Sequence, residues 1–176
     1  MGRAAPKQIF ITDASVLIDL RKAKLLPYLC ALHHHFILPF SVRHIELLDF
    51  AKDDWLLLDN AGLETYDLSP DEVAEAFAIK AQYNKLSAQD CICYVTTKRR
   101  KGCLLTGDNL LRRMAEQSGI EAHGVLWIIE ELRRHHIVET AQLIGALELW
   151  RADKSVFIPD HLIEDCLTRL RSINSP

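Results

Sequence analysis

Short apolar stretches alternate along this chain with longer segments in which apolar residues recur every three or four positions. The short stretches are predicted to be strands because they are brief, apolar and bounded by turn-forming or helix-capping residues. They lie at residues 8–12, 36–39, 63–68, 103–106 and 121–123. Residues 55–58 fit either a strand or a helix, and the pattern does not decide between them.

The longer segments are predicted to be helices because their apolar residues share one face at helical spacing. The clearest start combines Ser69 as a cap, Pro70 at the first helical position and Glu72 as the third residue after the cap. The predicted helices cover residues 16–34 with a break near Pro27, 41–52, 69–84, 87–101, 109–117, 125–136, 139–151 and 160–171.

This alternation predicts an α/β protein with three layers, in which helices flank a short central parallel sheet. The last two helices follow the final strand and are predicted to form a C-terminal helical pair. A length of 176 residues is typical of one domain. We therefore expect a single domain over residues 1–176, with an α/β core at 1–136 and a helical extension at 137–173.

Composition agrees with a packed globular protein, since 49% of the residues are hydrophobic and 26% are charged. The chain has no apolar run long enough to span a membrane, and its polar start does not resemble a signal peptide. A cytoplasmic protein without membrane contact is therefore expected. The five cysteines show no paired spacing, which favours buried reduced thiols over disulfides or structural zinc.

Three aspartates occupy positions that suit the ligand site of a parallel sheet, which lies beyond the carboxyl ends of its strands, and a glutamate follows the second strand. Asp13 follows the first strand, and Asp108 comes two residues after the strand at 103–106. Asp90 stands in the first turn of an apolar helix, and Glu46 lies on the helix after the second strand. Taken singly, the aspartates could cap helices and the glutamate could be exposed. Together, four carboxylates in one crevice would repel one another unless a cation lay among them.

The segments around three of these acids resemble motifs of the PIN-domain family. Residues 11–20 (ITDASVLIDL) are similar to the opening motif, 86–90 (LSAQD) to the third and 104–108 (LLTGD) to the fourth. The second motif, which is the least specific, is represented by Leu38-Pro39 followed by Val42 and Glu46. Residues 119–127 and the C-terminal helices resemble a prokaryotic subgroup related to VapC-type toxins. The resemblance thus extends over nearly the whole chain.

The resemblance implies a Mg²⁺- or Mn²⁺-dependent phosphodiesterase that cuts single-stranded or structured RNA. In the subgroup it implies the toxin of a type II toxin–antitoxin pair, with an antitoxin protein as partner and a homodimer as the usual state. It assigns Asp13, Asp90 and Asp108 as the main metal ligands. Glu46 is assigned as a further ligand or as the residue that orients the attacking water. Carboxylates suit this role because hard divalent cations prefer oxygen ligands.

Thr106 and Ser15 are predicted to support the acids or the phosphate through hydrogen bonds. Many relatives place a further acid just after the fourth motif, whereas this chain has Asn109 there, followed by two leucines. The acidic centre is therefore expected to rest on four carboxylates, with Asn109 as a supporting residue and the number of metal ions left open.

The net charge of −3 counts against a nucleic-acid binder, although an acidic metal site would account for part of it. The basic residues are clustered, and those at the rim of the site are expected to contact RNA phosphates. The candidates are Arg112, Arg113, Lys98, Arg99, Arg100 and Lys101. A solvated helix face explains the same clusters equally well.

Two other functions compete with nuclease activity. The first is a catalytically weak PIN-like binding module that acts through antitoxin or protein partners, using the apolar faces of helices 139–151 and 160–171. The second is a phosphoacceptor domain, which is disfavoured because the chain lacks the required lysine on a late strand loop. The run at residues 33–35, three consecutive histidines, is predicted to be an exposed helix end, since consecutive side chains cannot all face one ion.

Overall fold

The computed structural model describes residues 7–173, in which five parallel strands form one sheet in the order β3-β2-β1-β4-β5. The strands are β1 (Ile9–Thr12), β2 (His35–Pro39), β3 (Glu64–Tyr66), β4 (Cys103–Leu105) and β5 (Ala122–His123). Helices flank this sheet, so the predicted α/β class with a central parallel sheet is confirmed. The outer ends of the predicted domain, residues 1–6 and 174–176, lie outside the described residues.

Eight α-helices of the described residues surround the sheet. They are α1 (Ala14–Lys22), α2 (Lys52–Asn60), α3 (Pro70–Gln82), α4 (Ala88–Arg100), α5 (Asn109–Gln117), α6 (Val125–Arg134), α7 (Thr140–Ala152) and α8 (Asp160–Ile173). Helix α4 packs against β1, β2 and β4 and also contacts α3 and α5. Helix α1 contacts α6 and α7, and α8 packs on α7.

The predicted single helix at 41–52 is wrong. Val42–Glu46 forms a π-helix, and a separate helix begins only at Lys52. The reason is the spacing of buried residues: Val42 and Leu47 are both buried and lie five positions apart. A π-turn places residues five apart on one face, and the Leu47 amide donates to the Val42 carbonyl at 3.2 Å. Residues 55–58, which fitted either element, are helical and lie in α2.

The predicted helix at 16–34 is interrupted, as expected, but earlier than Pro27. Helix α1 ends at Lys22, Lys24 has a positive φ of 58°, and Leu26–Leu32 forms a 3₁₀-helix. The segment therefore turns twice before it enters β2.

The three histidines do not form one exposed helix end. Only His33 is exposed, at the left-handed end of the 3₁₀-helix with a φ of 58°. The ring of His34 packs against Phe10, with 5.0 Å between the ring centroids, and His35 begins β2. The three side chains therefore lie in different surroundings, and they do not converge on one metal ion.

The C-terminal helical pair is tied to the core by Trp150, which is only 1% exposed. Its indole Nε1 donates to the backbone carbonyl of Asp19 in α1 at 2.8 Å. All five cysteines are free thiols, and all except the half-buried Cys30 are buried. Among residues 7–173, no helix combines the length and apolar character needed to cross a bilayer.

Candidate active site

The strand order reverses between β1 and β4. The chain runs outward from β1 through β2 to β3, and then returns to β4 on the other side of β1. Such a reversal opens a crevice at the carboxyl ends of the two strands, which we call the carboxyl edge of the sheet. Asp13 follows β1 there, and its backbone N–H donates to the Leu105 carbonyl at the end of β4 at 3.0 Å.

Asp13 is almost fully buried, with 5% of its surface exposed. Its Oδ1 accepts hydrogen bonds from the Ser15 hydroxyl at 2.6 Å and from the Val16 amide at 3.2 Å, while its Oδ2 accepts one from the Thr106 hydroxyl. Burial raises the pKa of Asp13, these hydrogen bonds oppose the rise, and the negative charge of Asp90 adds to it. The structure thus places both predicted supporting hydroxyls directly on Asp13.

The loop after β4 is bound to the same carboxylate through those hydroxyls. The Gly107 amide donates to Ser15 Oγ at 2.9 Å, and the Asp108 amide donates to Thr106 Oγ1 at 3.0 Å. A Cβ atom at Gly107 would stand 2.9 Å from Ser15 Oγ, so the approach leaves no room for a side chain. Asp108 is exposed at the end of this loop, and its Oδ1 caps α5 by accepting from the Leu111 amide at 2.7 Å.

Asp90 lies half-buried in the first turn of α4, where it forms a capping box with Ser87. The Ser87 amide donates to Asp90 Oδ2 at 2.7 Å, and the Asp90 amide donates to Ser87 Oγ at 2.9 Å. Each of the three aspartates therefore accepts a hydrogen bond from a backbone amide at the start of a helix, as the alternative interpretation in terms of helix capping predicted. Among the described residues, Oδ1 of Asp90 and Oδ2 of Asp108 accept no hydrogen bond from the protein, so these caps leave oxygens for a ligand.

Glu46 ends the π-helix and is exposed, yet it responds to the same charges. Although the residue as a whole is exposed, its carboxylate is partly shielded from solvent, and this partial burial raises its pKa to about 7, with further contributions from Asp90 and then Asp13. The pKa of the buried Cys93 thiol is raised by its burial and by the charges of these same three acids. These effects indicate that the carboxylates of Asp13, Glu46 and Asp90 face one region, and the hydrogen bond from the Asp108 amide to Thr106 Oγ1 holds Asp108 beside Asp13. We call Asp13, Glu46, Asp90 and Asp108 the acidic site.

The acidic site is not a preassembled metal cage. Among residues 7–173, no three His, Cys, Asp or Glu side chains lie close enough together to hold a metal ion. The physical reason is that each aspartate directs one oxygen to a backbone amide while the carboxylates repel one another. The donors still fit a hard divalent cation by their chemistry, because they are carboxylate oxygens. Burial first, and then the negative charges of Asp90 and Asp13, raise the pKa of Glu46, and a cation would offset those charges.

The predicted basic residues are divided between two places. The four at 98–101 lie at the last turn of α4, whereas Asp90 lies at its first turn, about 12 Å away along the helix axis. Lys98 and Arg99 bind Glu75 at 2.8 and 2.6 Å, and Arg100 binds Glu64 at 2.5 Å. This block therefore lies at the end of α4 away from Asp90 and is paired with acidic residues, and its contact with RNA stays a prediction.

Arg112 and Arg113 follow Asp108 on α5, next to the acidic site. Arg113 is exposed and Arg112 is half-buried. Arg112 Nη2 donates to the Thr106 carbonyl at 2.8 Å, and Arg112 forms no ion pair with any acidic residue of the described part of the chain. Its buried Nε has no hydrogen-bond partner there either. A guanidinium without an anionic partner suits a phosphate or a carboxylate of a ligand. Asn109 is the first residue of α5 and is exposed.

A cavity of about 700 Å³ adjoins the acidic site, and we call it the side cavity. It is lined by Ser15, Gly107, Asp108, Asn109 and Arg112, by parts of α1, β5 and α6, and by the segment between α7 and α8. Asp19 of α1 lines it too, and burial raises the pKa of Asp19 to about 6 while Lys22 opposes the rise. Sequence reasoning missed Asp19, although it lies four residues after Ser15 and hence on the same helix face.

Comparison with known protein families gives one match, and it covers nearly all of the described chain. A family model described as "DUF3368: PIN domain" matches residues 9–172, from the first residue of β1 to within α8. No curated protein matches the chain. PIN domains are in general nucleases, and they typically use divalent metals such as Mg²⁺.

Proposed function

We propose a metal-dependent ribonuclease function for this chain, which belongs to the PIN-domain family. The observation that carries the proposal is the acidic site itself. Burial, together with the charge of Asp90, raises the pKa of Asp13 and of Glu46 at the reversal of strand order, and none of the four carboxylates forms an ion pair with a basic residue of the described chain. Uncompensated carboxylates are costly to stability, and a cation that binds them together with a phosphate explains their presence.

Each acid has a distinct task in this proposal. Asp13, Asp90 and Asp108 would hold Mg²⁺ or Mn²⁺ through carboxylate oxygens. When bound, the ion would lower the pKa of a water molecule and offset charge that develops on the phosphodiester. Glu46 would accept the proton of the attacking water at its carboxylate or orient that water. Ser15 and Thr106 hold Asp13 in place, and Asn109 supports the start of α5.

The substrate is single-stranded or structured RNA, held by its phosphates. Arg112 and Arg113 are the cations closest in the fold to the acidic site among the predicted candidates. Phosphate contacts of this kind supply affinity and register, and they leave sequence choice to other residues.

The wider biological role follows from the resemblance of residues 119–127 and the C-terminal helices to VapC-like proteins. We propose a cytoplasmic toxin of a type II toxin–antitoxin pair that forms a homodimer and binds an antitoxin. Three exposed apolar residues beside Glu46 offer surface for such partners, namely Phe40, Ile45 and Leu48.

A catalytically weak binding module is the second candidate. It is favoured by the lack of a preassembled metal cage among residues 7–173. In that case the same apolar surface would serve antitoxin or protein partners, and hydrolysis would be slow or nil.

The deciding experiment incubates the protein with single-stranded and structured RNAs in Mn²⁺, in Mg²⁺ and in chelator. An Asp13→Asn/Asp90→Asn double variant tests the acidic site, and Glu75→Gln serves as the matched control, because Glu75 is a carboxylate of the ion-paired cluster on α3 and α4. We expect metal-dependent cleavage by the wild type and by the control only. Cleavage that persists in the double variant would contradict the site, and no cleavage by the wild type would favour the binding module.

A further inference from the structure

We propose that the side cavity binds a nucleobase of the nucleic acid, next to the phosphodiester held at the acidic site, and that it prefers a base with an exocyclic amino group. This inference rests on the proposed nuclease function. It adds a specificity subsite to an active site whose phosphate contacts carry no sequence information.

The side cavity and the acidic site are continuous. Ser15 and Gly107, which hold Asp13 in place, are also walls of the cavity, and Asp108 borders both. A phosphodiester at the acidic site therefore carries its adjoining nucleoside to the mouth of the cavity. A volume of about 700 Å³ is within the range of small-ligand pockets and has ample room for a base.

One aromatic side chain of the cavity is unusually exposed. Phe157 is 91% exposed, although it lines the cavity together with Trp127. Its segment is held in place, because Lys22 Nζ donates to the neighbouring Ser155 at its hydroxyl, 2.7 Å away, and at its carbonyl, 3.2 Å away. An exposed aromatic ring at the edge of a cavity, on a segment held at Ser155, suits stacking on a flat base, as in proteins that extract single bases from a strand.

Two groups of the cavity have opposite charge, and neither forms an ion pair within the described chain. The Asp19 carboxylate accepts no hydrogen bond from the described residues, and it can accept from an amino group such as N4 of cytosine. The Arg112 guanidinium has no ion pair in the described chain and has a buried Nε without a partner. Gly124 makes room for it, since a Cβ there would stand 2.6 Å from Arg112 Nη2.

These groups divide the cavity into a phosphate end and a base end. Arg112 lies on the helix that Asp108 caps, so it suits the phosphate that links the nucleoside to the acidic site. Asp19 and Phe157 suit the base. A peptide could fill an apolar cavity, but a nucleotide alone accounts for the continuity with the acidic site, the unpaired guanidinium and the unpaired carboxylate together.

The test measures binding of mononucleotides to the intact protein without any cleavage step. The probes are 5′-CMP, 5′-UMP and ribose 5-phosphate, and the readout is the indole N–H signal of Trp127 in NMR titrations. Trp55, which lies in α2 away from the cavity, is the internal control. We expect CMP to bind more tightly than UMP, and ribose 5-phosphate to bind most weakly.

Two variants and one matched control sharpen this test. Phe157→Ala should weaken CMP binding about tenfold, the size of a lost stacking contact. Asp19→Asn should remove the preference for CMP over UMP. Phe77→Ala, at another exposed phenylalanine on α3, should change neither.

Equal binding of CMP and ribose 5-phosphate would overturn the inference, as would unchanged CMP binding by Phe157→Ala. If none of the nucleotides binds, the inference is wrong, and a protein partner becomes the remaining candidate occupant of the side cavity. RNA cleavage measured on the same preparations separates the two proposals. Cleavage without base-dependent binding contradicts the subsite alone, and base-dependent binding without cleavage contradicts the ribonuclease alone.

Discussion

The two ends of helix α4 differ in whether the protein neutralises their charges. We call the last turn, with Lys98, Arg99 and Arg100, the paired end, and the first turn, with Asp90, the unpaired end. At its last turn, Lys98 and Arg99 bind Glu75, and Arg100 binds Glu64. At its first turn, Asp90 faces other carboxylates and has no ion pair with a described basic residue. One end of a single helix is thus neutralised within the protein, and the other end keeps negative charge that only an external cation can offset.

The helix itself does not cause this difference. The helix dipole favours acidic residues at a helix start and basic residues at a helix end, so it stabilises the charges at both ends of α4. The difference lies in what the neighbouring elements contribute, since α3 brings Glu75 to one end and β1 brings Asp13 to the other. Residues that are poorly neutralised by their own protein are typical of functional sites, where stability is lowered for activity.

The largest effect that we expect comes from Asp90→Asn at the unpaired end. Cleavage should fall by at least about 100-fold, because even residues that only support a metal ligand are worth 10- to 100-fold. The fold should persist, since the amide oxygen can still accept from the Ser87 amide. The measurement is kcat/KM in Mn²⁺ together with the thermal midpoint. Loss of activity in Glu75→Gln, the matched change at the paired end, would contradict the proposed functional difference between the two ends of α4.

Divalent cation should stabilise the protein through the unpaired end alone. At a free Mn²⁺ concentration about 100 times its Kd, linkage predicts a gain of about 2.7 kcal/mol in the free energy of unfolding. The gain should largely vanish in Asp90→Asn and stay intact in Glu75→Gln. Calorimetric melting with and without chelator gives the measurement. Equal stabilisation of both variants would place the cation elsewhere.

Thr106→Val tests the hydrogen bond that holds Asp13. The change keeps the shape of the side chain and removes the hydroxyl that donates to Asp13 Oδ2. We expect activity to fall by about tenfold or more, as for other residues that orient a metal ligand. Thr97→Val is the matched control, because its buried hydroxyl donates to the Cys93 carbonyl at 2.7 Å within α4. Similar losses in both variants would indicate a general packing effect.

The unpaired end should also make stability depend on pH in the absence of metal. The pKa of Glu46 is raised from 4.5 to about 7, so the folded protein holds this proton more tightly than the unfolded chain. The resulting stability is complete below pH 4.5 and is lost as the pH rises through about 7. Because Glu46 is exposed, solvent screening limits the change to about 1 kcal/mol.

Urea unfolding at pH 5 and at pH 8 in chelator measures this dependence. Glu46→Gln should reduce it and leave the contributions of Asp13 and Asp19, whose pKa values are also raised by burial. A wild-type protein that is more stable at pH 8 than at pH 5 would contradict the accumulation of negative charge at the acidic site.

The smallest effect is expected from Glu75→Gln at the paired end. Its partners Lys98 and Arg99 are more than half exposed, so the ion pairs are screened and contribute little. We expect a slightly lower thermal midpoint at low salt, no difference from wild type at high salt, and unchanged activity. A large destabilisation that resists salt would mean that the cluster acts as a buried network.

Local signals made much of the fold predictable. The capping boxes at Ser69 and Ser87 place the starts of α3 and α4 where the sequence predicts them. The π-helix was not predictable in this way, because Val42 and Leu47 are buried by neighbouring elements and not by their own periodicity. The distance between the basic block and Asp90 was not predictable for a related reason. The closeness of this block to Asp90 in sequence becomes a separation along a helix axis.

The sequence by itself determined the order of the elements and the acids that begin helices, since capping and periodicity act over a few residues. Only the tertiary structure decided which charges are neutralised. It brought Glu75 to the basic end of α4, gathered Asp13 and Glu46 near Asp90, and set Asp19 and Phe157 around one cavity. Electrostatic interactions and burial depend on distances between residues far apart in the chain, and those distances exist only after the sheet and its helices have packed.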